Sequence, residues 1–338
     1  MAYEISDVTS EHVPAGMGGA FCHVDTSDAE EQAALLRGWN QVYSQMSPGT
    51  FSGAISEAQF GQTLLFIEST SNSLLQSGAV DANFLAVGVP LEMAGAAVFC
   101  GAADHHSAVH VFSGRSGFEF FSPSGLVMAG LVVSWDSLHS ILSEQEWQQL
   151  CTGMDDAHLM KAHDQRVTSL RAFVCGVFKM LEHSPQLLGN APLRLALENA
   201  VLSNLAELLI DESMLPPLRI APSNRWKIVA AAREVVRERA DSPISVAEIC
   251  QATGASRRTL QYCFQDVLGL SPAEFLRAVR LNAARRTLRS APSVTMAAAS
   301  CGFWHFGRFA GDYQRMFGEL PSETFRRRQG KTPSASVR

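Results

Sequence analysis

Between Ser256 and Tyr262 the chain carries its densest run of side chains able to read an ordered polyanion. Leu260 and Phe264 lie four apart and share one side of a helix. Ser256, Arg257, Arg258, Gln261 and Tyr262 are left to project from the other. An arginine can bond guanine O6 and N7 together, and a glutamine adenine N6 and N7, each good pair giving roughly 1–3 kcal/mol of discrimination between bases. A second cluster, Trp304, His305, Phe306 and Arg308, mixes polar groups with aromatic rings.

Other constellations offer less. Asp104, His105, His106 and His110 are the densest set of candidate metal ligands, and a strand would put His106 and His110 on one face. Paired histidines near a loop are usually polar surface, so neither a metal nor a cofactor is expected. Gly16–Gly19 (GMGG) lacks the third glycine and the preceding strand of a dinucleotide loop. Ser113–Gly117 (SGRSG) is not the elbow of a hydrolase and reads as a turn. Without a recognisable nucleophile, metal set or phosphate cradle, an enzyme is not expected.

The charge distribution favours the polyanion reading. Residues 1–221 carry eight basic and 24 acidic side chains, a net of −16; residues 222–338 carry 19 and nine, a net of +10. Only the C-terminal part is built to meet a polyanion. The 338 residues, 46% hydrophobic, suffice for two domains. No run of about 18 uncharged apolar residues could span a bilayer, so no membrane association is expected. The first residues, MAYEISDVTSEHV, do not read as a secretory signal. Seven cysteines with no CxxC spacing suit a reducing compartment, and the cytoplasm is the expected location.

These residues need elements to position them. Residues 1–27 read as a flexible tail, and a capped helix is expected from Ser27 to about Met46. Residues 50–133 break into short apolar runs separated by Gly, Ser and Pro, the pattern of a β sandwich or barrel. From Trp135 to Leu209 the periodicity is helical. An α+β domain over 28–210 follows, with Phe84, Met93, Phe99, Phe112 and Phe120 as candidate walls of an effector pocket. Apolar faces of its helices are candidates either for homodimer pairing or for intradomain core. Pro216, Pro217 and Pro222 mark a linker over 211–223. An all-α domain over 224–330 and a flexible tail over 331–338 complete the organisation.

Within 224–330 the chain repeats itself. Gly269–Arg277 (GLSPAEFLR) lies over Gly318–Arg326 (GELPSETFR) at an offset of 49, and Ser245–Ser256 over Ser293–Trp304 at 48, aligning Gly254 with Gly302. Each unit reads as a helix, a glycine turn and a second helix: Val246–Ala252 then Ser256–Val267, and Val294–Ser300 then His305–Phe317. Ser271, Pro272 and Glu274 start a long helix between the units as a capping box. Two recognition helices held roughly 34 Å apart can enter successive major grooves on one face of a duplex.

The runs SRRTLQYCFQDVLGLSPAEFLRAVRLNAARRTL and AAASCGFWHFGRFAGDYQRMFGELPSETFRRR resemble the AraC/XylS transcriptional regulators over about Asn224–Gln329. The resemblance implies tandem helix-turn-helix units on double-stranded promoter DNA, activation through RNA polymerase, a homodimer and a small-molecule effector. It places Arg258, Gln261 and Tyr262 at base-reading positions. In the second unit Phe306, Gly307, Ala310 and Gly311 stand where polar readers are commoner, so the first unit is expected to carry most direct readout. Arg257, Arg277, Arg280, Arg285, Arg286 and Arg326 to Arg328 are phosphate candidates. A weaker likeness over Leu36–Gly53 (LRGWNQVYSQMSPGTFSG) is to regulators of ethanolamine operons, which sense ethanolamine with adenosylcobalamin; others of this build control quorum sensing or virulence.

Overall fold

Strands of the N-terminal domain alternate buried side chains between two cores, and this explains why so many read as continuous apolar runs. The computed structural model describes residues 19–95, 97–104, 108–114, 117–152, 154–210, 219–239 and 244–329. In chain order the N-terminal domain contains β1 (Ala20–Thr26), α1 (Ala29–Ala33), β2 (Trp39–Gln45), β3 (Gly53–Phe60), β4 (Thr63–Thr70), β5 (Leu74–Val80) and β6 (Phe84–Glu92). There follow β7 (Ala97–Phe99), β8 (Ala102–Asp104), β9 (Ala108–Gly114), β10 (Phe118–Ser122), β11 (Leu126–Ser134), α2 (Trp135–His139), α3 (Glu144–Cys151), β12 (Asp156–Lys161), α4 (Asp164–His183) and α5 (Ala191–Leu209). One antiparallel sheet has the order β1-β3-β4-β11-β6-β9-β12 and the other β2-β5-β10-β7-β8.

The larger sheet is buried on both faces. Leu65, Val87, Val111 and Leu131 join one core with Val174 and Phe178 of α4 and Leu202 and Leu205 of α5. Phe66, Ala86, Phe112 and Met128, offset by one residue, face the smaller sheet. The buried side chains of α4 and α5 thus pack within the domain, while Leu195 of α5 stays 59% exposed.

Three expectations are corrected here. Residues 20–26 are not a loose tail: β1 pairs with β3 from Ala20 opposite Gln59 to Thr26 opposite Gly53. It is a mostly exposed edge strand, so its alternation is faint. The helix expected from Ser27 to Met46 is one short turn capped by Asp28, whose carboxylate accepts from the Glu30 and Glu31 amides. Gly38, at φ 76°, reverses the chain into β2, which pairs with β5 along its length. The helical run from Trp135 to Leu209 is interrupted by β12, bound to the sheet edge at β9.

The C-terminal domain consists of α6 (Asn224–Glu238), α7 (Val246–Thr253), α8 (Arg257–Leu268), α9 (Pro272–Thr287), α10 (Val294–Ser300), α11 (Phe306–Phe317) and α12 (Pro321–Gln329). Its core takes in Met46, Val98 and Phe121 from the first domain, so the two are docked. The linker runs along the first domain where it is described: Arg219 bridges to Met160, and the Ile220 amide donates to the Leu159 carbonyl. Trp226 then packs on Gly101, where a Cβ would collide with the indole.

Polar groups in the C-terminal turns of α9 complete the docking. Asn282 Oδ1 accepts from the Gln45 amide (2.9 Å) and its Nδ2 donates to the Gln45 carbonyl (2.8 Å). Arg285, only 6% exposed, pairs with Asp28 (2.7 Å) and Glu319 (2.8 Å) and lies over the Phe317 ring. Burial disfavours its charge, but Tyr313, Asp28 and Glu319 outweigh burial and hold the guanidinium protonated. Arg286 and Arg289 both reach Glu30.

Replacing Arg285 with Met leaves two carboxylates poorly compensated in the interior, and the expected loss is about 3–5 kcal/mol in chemical denaturation of the full chain; an unchanged midpoint contradicts this docking. A second prediction concerns Glu68, fully enclosed between Gln32 (2.8 Å) and Tyr43 (3.0 Å). Burial pushes its carboxyl from 4.5 to about 7, against these hydrogen bonds. The folded state then holds a proton that the unfolded state has released, so stability falls as pH rises from 4.5 to 7, by about 3 kcal/mol for this group. Relative to the wild type, Glu68→Gln should be more stable at pH 8 and lose this part of the slope; parallel stability curves contradict the assignment.

Candidate nucleic-acid interface

The two repeat units fold as helix, glycine turn and helix. Ser245 caps α7 in a capping box with Glu248, and Gly254 ends that helix at φ 66°. The corresponding Gly302 sits at φ 78° after α10. A side chain is strained at such angles, and glycine lets each second helix leave at a sharp angle without a Cβ clash. Ser256 caps α8 through the Thr259 amide at 3.1 Å. Ser271 and Glu274 form the capping box that starts α9, as their spacing predicts.

Helix α8 buries Leu260, Cys263, Phe264 and Val267 on a stripe of helical period. Ser256, Arg257, Arg258 and Gln261 are exposed on the opposite side. Tyr262 is 55% exposed but is not a free phenol: the Arg225 guanidinium lies 4.8 Å from its ring centre and pairs with Asp266 at 2.7 Å. Arg225 is thus a positioning residue at the edge of this face. It went unrecognised because its partners are 37 and 41 positions away.

Helix α11 buries Phe309, Tyr313, Met316 and Phe317 and presents a different surface. His305, Gly307, Arg308 and Gly311 are exposed. Trp304 is 72% and Phe306 42% exposed, large apolar rings for which the domain supplies no cover. His305 stands at the cap position without a side-chain cap bond, so the first amides of α11 are open to an outside acceptor such as a phosphate oxygen. An open groove of about 630 Å3 lies between the units, bordered by Arg277, Arg280, His305 and Arg308 among others.

The phosphate candidates divide. Arg257 and Arg326 are exposed. Arg277 is half-exposed beside Asp312 at 3.8 Å. Arg280 is partly buried and donates to the Ile244 carbonyl. Arg286 is turned toward Glu30 of the first domain. Arg285 is a correction: it lies inside the interdomain ion cluster and cannot reach a phosphate in this arrangement. Arg327 pairs with Glu319. The side chain of Arg328 lies outside the described residues.

The expected effector pocket is corrected as well. Phe99, Phe112 and Phe120 are buried and pack on each other and on Trp39, His110 and Phe118, with ring centres as close as 4.6 Å. About 20 Å3 of space remains among them, roughly one water. Phe84 and Met93 are half-buried at the margin of this core. Of the histidine cluster, His105 and His106 lie outside the described residues and His110 is buried among rings. Among the described residues no group of three or more His, Cys, Asp or Glu is placed to hold a metal, and no helix is long and apolar enough to cross a membrane.

Residues 249–328 match the family described as "Helix-turn-helix domain". The chain is similar to the "Probable thc operon regulatory protein" of Rhodococcus erythropolis, with 41% identity over 103 residues, 29% of this chain and 31% of that protein. It is similar to the "XylDLEGF operon transcriptional activator 1" of Pseudomonas putida, with 35% identity over 102 residues, again 29% and 31% of the two chains. Among solved structures it is similar to a probable AraC family transcriptional regulator from Rhodopseudomonas palustris CGA009, at 40% identity and a TM-score of 0.29, covering 30% of this chain and 97% of that one. The alignments span under a third of the length of both curated relatives. Within that extent, residues 249–328 of this chain form a helix-turn-helix domain similar to those of the operon regulators named above.

Proposed function

We propose that the chain is a sequence-specific DNA-binding transcriptional regulator working in the cytoplasm, an activator that contacts RNA polymerase. The carrying observation is the pair of recognition helices: both spend their apolar stripes inward and leave Arg257, Arg258 and Gln261 on one, and Trp304, Phe306 and Arg308 on the other, exposed. Arg258 and Gln261 read bases in the major groove. The second unit adds apolar contact to thymine methyls, close backbone approach at Gly307 and Gly311, and phosphate contact. The N-terminal domain pairs two copies of the chain and senses a small molecule. Ethanolamine is the effector suggested by the likeness over Leu36–Gly53.

A second reading has the N-terminal domain serving dimerisation alone, as in ligand-independent control of quorum sensing or virulence. The filled interior between the two sheets favours it. Thermal shift of the full chain against ethanolamine, cobalamin and a metabolite panel separates the two: a shift with altered operator affinity supports sensing, and neither supports the second reading.

The DNA-binding reading is tested on a duplex selected from a random pool by the full chain. Arg258→Ala should cost about 1–3 kcal/mol on that duplex and relax preference at one base pair, with little effect on random DNA. Arg257→Ala should weaken both duplexes alike and reduce the slope of log affinity against log salt by about one. Equal losses on both duplexes for Arg258→Ala overturn its assignment as a reader.

A further inference from the structure

An open sheet leaves backbone N–H and C=O groups along each edge, and an edge that is long, unbulged and uncovered is a template for one more strand. The two sheets of the first domain end at β1 and β12 and at β2 and β8. Beside β12 runs the linker, with Arg219 bridged to Met160 and the Ile220 amide on the Leu159 carbonyl. At the end of β2, Asn282 takes both backbone groups of Gln45. Strand β8 is only Ala102–Asp104. The remaining edge, β1, is protected in none of these ways: its seven residues pair with β3 without a bulge, include neither Pro nor Lys, and on the outer side meet no backbone partner among the described residues.

The side chains of β1 define what fits there. Strand alternation puts Phe21, His23 and Asp25 on one face and Cys22, Val24 and Thr26 on the other. Phe21 packs on Phe178 of α4, whereas His23 and Asp25, 3.5 Å apart, leave 51% and 85% of their side chains exposed. Val24 is 38% exposed. Two identical antiparallel strands related by a two-fold axis place residues opposite one another in mirrored order about the axis. Centred on Val24, they set Val24 against Val24 and, twice over, His23 against Asp25 of the second copy. Centring on His23 or on Asp25 opposes like groups instead, which destabilises a strand pair.

Resting on the reading above that the N-terminal domain pairs two copies, we infer that β1 is the pairing surface: it adds to β1 of a second copy of this chain, antiparallel and centred on Val24, so that one sheet runs through both. The occupant is a second copy because the strand is complementary to itself, in charge at His23 and Asp25 and in its exposed apolar residue. Seven residues of strand make a small contact, so the pair depends on concentration. Because the first domain also holds α9, pairing at β1 sets how the recognition helices of the two copies are spaced.

Sedimentation equilibrium of the full chain, up to about 100 µM, tests this. The wild type should show a monomer–dimer equilibrium. Val24→Lys, which sets like charges against each other at the axis, should raise the dissociation constant about ten-fold or more while keeping the wild-type circular dichroism spectrum. His23→Asp should also weaken the pair, and the exchanged variant His23→Asp/Asp25→His should restore it. Val24→Cys, with the exposed Cys22, Cys151 and Cys175 changed to Ser, should cross-link two copies on mild oxidation, and this readout decides if Val24→Lys alters the fold. A dimer left unchanged by His23→Asp and by folded Val24→Lys, or one that Val24→Cys does not cross-link, overturns β1 as the surface and leaves the two-copy reading standing. A wild-type chain still monomeric at about 100 µM overturns both.

Discussion

Helix α9 carries a buried arginine and a buried asparagine that each bond to the other domain, Arg285 to Asp28 and Asn282 to the Gln45 backbone, and the rest of the arrangement follows from that. A guanidinium taken out of water must find carboxylates, and Arg285 finds Asp28 and Glu319. Asn282 satisfies both backbone groups of Gln45 at the end of β2. Since α9 joins the two helix-turn-helix units, a domain that grips α9 in its C-terminal turns governs the placement of both. The Gln45 side chain extends the grip by donating to the Met316 carbonyl near the end of α11.

The same economy separates the roles of the basic residues. A high density of arginine in α9 and its surroundings gives the C-terminal part its positive charge, yet several of these groups are ion-paired with the acidic first domain. The exposed faces of α8 and α11 lie away from that interface and differ in kind. One is polar and suited to hydrogen bonds with base edges; the other is aromatic and small, suited to close approach. An acidic domain docked on a basic one also explains how a net charge of −6 coexists with a surface built for DNA.

Much of this was legible in the residues. The repeat offset, the glycines at 254 and 302 and the capping box at Ser271 place α7, α8, α10, α11 and the start of α9 to within a residue, because local rules dictate them: a cap, a turn angle, an apolar stripe of period 3.6. What stayed hidden depends on distant partners. Strand β1 is polar and exposed, and only its pairing with β3 makes it a strand. Asn282 and Arg285 occupy the buried stripe with Ala278, Leu281 and Leu288, a misplacement of polar groups visible by counting threes and fours. Their partners, some 240 to 260 positions earlier, are not. Phe99, Phe112 and Phe120 were indistinguishable from pocket walls because an aromatic cluster has the same composition whether it is filled or hollow. The likeness over Leu36–Gly53 covers β2 and the turn after it, the segment by which the first domain holds α9 and α11.

The central claim is that α8 and α11 meet one side of a single duplex. Hydroxyl-radical footprinting of the full chain on a duplex selected by its own binding tests that most directly. For each bound copy the account predicts two protected patches, about 10 base pairs apart on the same face of the helix. One patch per copy, or two on opposite faces, would contradict it.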